Sequence, residues 1–307
     1  MDSTEINAMD QLDLFSQADE HLEAAHQALL KADFSAARKE LQIARSINPF
    51  LANLDATAHV VDYFAKFFKR AKNPAEALAA VFQDIPQAVQ KNTLLIREAD
   101  LVEQMMAQMA FSQVKAARPF VDSGKVLHWG FCYTLTRQFN KAEKAFKETL
   151  QSVKEQRADL WGYYADLCYL MSDLRQAQRA YVRSLLIDPQ AIDLYRVKLP
   201  GLKQLYLELR EQYKEAEARS LLLFEGWSRE LLVFSQTGRS HDPLAEPFRA
   251  MLKKPLPKDK AGKLHRFSLH VYIDQMNAQV DVNNREKMQA IDKALFSRYL
   301  ELLQKKE

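Results

Sequence analysis

The chain has 307 residues, 48% of them hydrophobic, enough to bury a sizeable core or an extended one. Its net charge of +3 is too small to imply nucleic-acid binding by itself, and two cysteines, Cys132 and Cys168, do not make a disulfide framework. Only 7 residues are glycine, good helix formers dominate and strand-type alternation is almost absent, so the expected fold class is all-α.

The first residues, MDSTEINAMD, are acidic and lack the basic-then-apolar pattern of a signal peptide; residues 1–17 read as an N-terminal segment. No apolar run approaches the ~20 residues of a membrane span. No membrane span and a reducing, cytoplasmic location are expected. The next stretch places Ala25, then Ala37 twelve positions on, Leu41 four further, Ala44 three further and Pro49 five further. Residues 58–89 repeat the offsets with Ala65, Ala77 and Val81, but Asp84 stands at the last small position. Residues 90–122 do not fit; they predict one long amphipathic helix, capped by Asn92 or Thr93 and stopped near Pro119, with Met105, Met106 and Met109 as core filler. The offsets return as Gly130, Ala142, Phe146 and Thr149, then as Ala165, Ala177, Tyr181, Ser184 and Pro189. A weaker copy gives Gln204, Ala216, Ser220 and Leu223. A period of roughly 34 residues marks an array of helical hairpins, here residues 18–225 with an irregular 90–122.

Each position has a physical reason. Small residues let two antiparallel helices approach; Phe34, Phe139, Leu174 and Tyr213 are placed to staple the turns; Tyr181 and Phe146 fill the space between hairpins; Pro49 and Pro189 end the second helix. One hairpin cannot bury its apolar face alone, so neighbours stack. After residue 225 the register is lost. Helices are expected over 226–236, 244–253, 264–279 and 284–304, the last capped by Asn283 or Asn284, with a basic linker at 253–263. Residues 226–307 read as a helical C-terminal cap or a small module.

In residues 158–189, Trp161, Ala165, Ala177 and Pro189, and before them Trp129-Gly130 with Tyr133, are similar to positions of the tetratricopeptide repeat. The chain resembles a divergent member of that family, clearly over three hairpins and weakly over about half its length. The resemblance implies an α-α superhelix whose first helices line a groove for a protein or peptide. Carried onto this sequence, that groove has a basic end at Lys66, Lys69 and Arg70 and a middle at Phe131, Asp166 and Tyr169. Leu205 and Glu208 follow, and Gly162 and Gly201 leave room for a ligand backbone.

The search for chemistry is negative. Phosphate-loop, dinucleotide, zincin and nucleophile-elbow motifs are absent. His128 and Cys132 lie four apart, but a metal needs further ligands, Cys168 being a remote third. No cofactor, metal or catalytic residue is expected. The leading expectation is a non-catalytic scaffold or adaptor that binds a protein or peptide partner in the groove. An alternative is nucleic-acid or anionic-surface binding through residues 249–266, which carry seven bases against one acid, among them Lys253, Lys254, Lys258 and Lys260. An enzyme with a site assembled from dispersed residues is the third, and self-pairing of helical repeats is compatible with all three.

Overall fold

The computed structural model describes residues 3–114, 120–121, 127–152, 157–234, 246–277 and 279–306; for 3–15, 152 and 306 it describes the backbone alone. The protein is all-α, 76% helix, with fifteen helices among the described residues that pack mainly as neighbouring pairs. The chain divides into two compact units, Met1–Ala145 and Phe146–Glu307.

The first unit holds α1 (Ser3–Leu30), α2 (Phe34–Ile47), α3 (Leu54–Phe68), α4 (Pro74–Gln90), α5 (Ile96–Gln113), α6 (Trp129–Leu135) and the start of α7 (Phe139–Ser152). The segment expected to precede the array is therefore the beginning of a 28-residue helix. Asp33 caps α2, its carboxylate accepting from the Ala36 amide at 2.9 Å, and Ala37, Leu41 and Ala44 are buried along one stripe. Ala25 of α1 is likewise buried. α5 is shorter than the sequence suggests. Glu98 accepts from the Leu95 amide at 2.7 Å, which starts the helix at Ile96 rather than at Asn92 or Thr93. Pro119 lies outside the described residues. Met105, Met106 and Met109 are core, as expected. The far end of α5 returns to α1, where Ser112 and Gln113 donate to the Leu30 carbonyl at 3.0 and 2.8 Å.

The second unit continues with α8 (Ala158–Leu170), α9 (Leu174–Ile187), α10 (Pro200–Gln212), α11 (Glu215–Ser228), α12 (Glu246–Leu252), α13 (Lys260–Met276), α14 (Val282–Ile291) and α15 (Lys293–Lys306). The α8–α9 pair repeats the α1–α2 design. Asp173 caps α9 at 3.0 Å, Ala165, Ala177 and Tyr181 are fully buried, and Ser184 Oγ donates to the Ala158 carbonyl at 2.7 Å. A Cβ at Gly162 would sit against Ser184 and Ile192, so this position faces the protein's own interior rather than a ligand. Gly201 likewise faces Leu231. In the weakest copy Gln204 and Ala216 are exposed; α10 and α11 bury Leu202, Leu205, Leu209 and Ala218 instead.

The turns carry a signature that the offsets did not reveal. Ala32, Arg137 and Ser172 each stand seven positions after the first small residue of a clear copy, and each has a left-handed backbone, with φ of 58°, 57° and 64°. The two weak copies have no such residue at that offset. A side chain in this region is strained, which glycine relieves at the cost of a looser unfolded chain. Ser172→Gly is expected to raise stability by a net ~0.5–1 kcal/mol in urea unfolding.

Beyond α11 the sequence expectations change. Residues 226–234 are not a separate helix: Gly226–Ser228 end α11, and Glu230 turns away with φ 61°, while 235 and 236 lie outside the described residues. The basic linker ends early, because Asp259 accepts from Gly262 N and starts α13 at Lys260. The last expected helix is two, broken at Asp292, and Asp281 rather than Asn283 or Asn284 caps α14. These helices share a core with the preceding hairpins. Phe267 packs edge-on against Phe224 at 5.3 Å, and Ser268 Oγ donates to the Ser220 carbonyl at 3.1 Å.

Candidate functional site

The residues expected to line a groove separate into two classes. Lys66, Lys69 and Arg70 are exposed at the carboxyl end of α3, with Lys66 over the Phe67 ring at 5.3 Å. Cations there also complement the helix dipole. Phe131, by contrast, is buried and packs edge-on against Phe82 at 5.1 Å, closing the core of the first unit. It offers no free face to a partner.

In the second unit Leu205 is buried in the α10 core and Glu208 is paired with Arg229. Asp166 is also internal. Its Oδ1 accepts from the Tyr181 hydroxyl and, at 2.7 Å, from the Lys198 amide. Burial pushes this carboxyl up to about 7, against the two hydrogen bonds, which favour its charged form. The sequence reading places Asp166 in the groove because the resemblance to the tetratricopeptide repeat assigns its position along α8 to the groove-lining face. The segment after Pro189 folds back over that face, with Ile192, Leu194, Val197 and Leu199 buried. Asp166 thus holds this segment and Tyr181 together.

Tyr169, only partly buried, lies beside a more open feature. The turn from α8 to α9 exposes Leu170 at 41%, Met171 at 38% and Leu174 at 48%. Leu174 was expected to staple this turn; its equivalent Phe34 does pack, against Phe68 at 5.2 Å, but Leu174 faces solvent. The sequence contained this signal as a run of apolar residues, Tyr169-Leu170-Met171, directly at a helix end.

The basic stretch 249–266 is less available than its composition suggests. Arg249 pairs with Glu246 at 2.7 Å, and Lys260 pairs with Glu217 at 2.9 Å while lying over the Tyr213 ring. Arg266 is buried and donates to the carbonyls of Leu252, Lys254 and Pro255. It ties the stretch to α13. Lys253, Lys254 and Lys258 remain exposed.

Among the described residues no group of three or more His, Cys, Asp or Glu side chains is placed to hold a metal. His128 Nδ1 caps α6 by accepting from the Gly130 amide at 3.0 Å. Burial pushes the Cys132 thiol up to about 12, which leaves it a protonated packing group at neutral pH. No described helix is long and apolar enough to cross a membrane. No protein-family model, characterised protein or solved structure matches the chain.

Proposed function

We propose that this protein is a non-catalytic scaffold built from tetratricopeptide-like hairpins, which binds another protein through the tip of the α8–α9 hairpin. The observation that carries this reading is the exposed apolar cluster Leu170, Met171 and Leu174, at a turn whose helices are otherwise closed by buried alanines and Tyr181. Several large apolar side chains left in water at one turn mark an interaction surface more often than scattered single ones do. The rigid hairpin beneath would present them at little entropic cost. Partner binding thus moves from the groove residues Phe131, Asp166 and Leu205, which are occupied internally, to the hairpin tip.

The test is a Leu170→Asp, Leu174→Asp double variant. Both side chains are already solvent-exposed, so its melting temperature should stay close to that of the wild type. A partner protein recovered in stoichiometric amounts with the wild type should be lost, with affinity falling about tenfold or more, as removal of one or two anchors at an interface does. Retention of that partner by the folded variant contradicts the reading.

A further inference from the structure

An open cavity of about 540 Å³ lies where α12, α13 and the amino end of α14 meet, entirely within the second unit. His270 forms part of its wall and is only 3% exposed. The ring is fixed by Asn284. Asn284 Nδ2 donates to the His270 carbonyl at 3.0 Å, which turns its Oδ1 toward His270 Nδ1 at 2.6 Å. An amide oxygen can only accept, so Nδ1 carries the hydrogen and Nε2 presents a lone pair. Burial, reinforced by the nearby Arg266 and Lys287, holds the ring below the ordinary histidine value and keeps it neutral.

Nε2 has no hydrogen-bond partner among the described residues. The fully buried side-chain nitrogen or oxygen without a partner, among the described residues, is Trp129 Nε1, so His270 Nε2 is not sealed from solvent, and the cavity that His270 lines is the space we assign to it. A nearly buried acceptor aimed into a cavity selects a ligand that brings a donor, such as a hydroxyl. The rim selects charge. Lys253 and Lys287 line it, both exposed and, among the described residues, neither in an ion pair, while Arg249 pairs with Glu246. Asn283, at the second position of α14, adds a backbone amide with no partner among the described residues. Two acids also line the cavity: Glu246 is taken up by Arg249, and Asp281 accepts from the Asn284 amide at 3.1 Å, which leaves the two lysines as the excess charge.

We propose that this cavity binds a small phosphorylated polyol, with its phosphate on Lys253, Lys287 and the amino end of α14 and a hydroxyl donating to His270 Nε2. Donors arriving from two side chains and a helix amide suit the three oxygens of a phosphate better than the two of a carboxylate. The volume lies in the range of small-molecule sites. The site is distinct from the α8–α9 tip, and its failure would leave the scaffold reading untouched.

The experiment is a titration of the full-length protein, labelled with nitrogen-15 in its histidine rings, with ribose 5-phosphate. Inorganic phosphate and ribose serve as arms that carry only the charge or only the hydroxyls. Ribose 5-phosphate should move the His270 Nε2 resonance; ribose should not. Inorganic phosphate should bind more weakly and leave that nitrogen in place. Lys253→Glu with Lys287→Glu, two exposed changes that leave the core intact, should weaken ribose 5-phosphate binding at least tenfold. The proposal is overturned by a silent His270 at about 10 mM ribose 5-phosphate, well above a millimolar dissociation constant. It is equally overturned if binding is indifferent to the lysine pair, or if inorganic phosphate binds as tightly as the sugar phosphate.

Discussion

Asp166→Ala is expected to destabilise the second unit by about 2–4 kcal/mol, because it strands the Tyr181 hydroxyl and the Lys198 amide without their acceptor, each at a cost of about 1–3 kcal/mol. Asp166→Asn keeps an acceptor and removes the charge, so it separates the hydrogen bonds from the titration. Burial raises the folded carboxyl to about 7, above the unfolded value of about 4. The folded state therefore holds the proton more tightly than the unfolded state. The contribution of Asp166 to stability is greatest below pH ~4, declines as pH rises to about 7, and levels off above that. Urea unfolding of the wild type and the asparagine variant across this window should give a difference that falls with pH. Parallel curves would mean that Asp166 does not titrate there.

Asp274→Ala is expected to cost about 3–5 kcal/mol and to loosen α14 and α15 first. The Asp274 side chain is almost wholly buried and binds two other helices at once. Arg285 of α14 donates to it at 3.0 Å, and the Tyr299 hydroxyl of α15 donates at 2.6 Å. Removing the carboxylate leaves a three-quarters-buried guanidinium without its counter-charge and the buried Tyr299 hydroxyl without its acceptor, although Gln275 still donates to that hydroxyl at 2.8 Å. Hydrogen exchange should quicken across residues 282–306 while α8 and α9 keep their protection. Tyr299→Phe, which breaks one bond and leaves the ion pair, should cost only about 1 kcal/mol. Uniform loss of protection throughout the second unit would contradict this role for Asp274.

The hairpins were legible because their signal is local. Ala25, Ala37, Ala165 and Ala177 are small for one reason, close helix approach, and identical spacing exposes that reason along the chain. The same logic failed where a distant segment decides a residue's surroundings. Asp166 reads as a groove residue, by the resemblance, until residues 190–199 fold across it. Gly162 reads as space for a ligand until Ile192 fills that space. The basic run 249–266 reads as a charged surface until Arg266 turns inward to three carbonyls and Lys260 meets Glu217. The His270–Asn284 pair had no readable spacing, since its two members sit on two consecutive helices. The break at Asp292 was missed for a related reason. The flanking residues are good helix formers, and only the extended backbone of Asp292, capping Leu295 N, divides them.

The scaffold reading meets its most direct test in photo-cross-linking from the hairpin tip in living cells, with a photoreactive residue at Leu174 and, as a control, at exposed Gln289 of α14. The account predicts a discrete adduct to a second protein from position 174 that is absent from position 289 and disappears with Leu170→Asp. No adduct from position 174, or the same adducts from both positions, would contradict it.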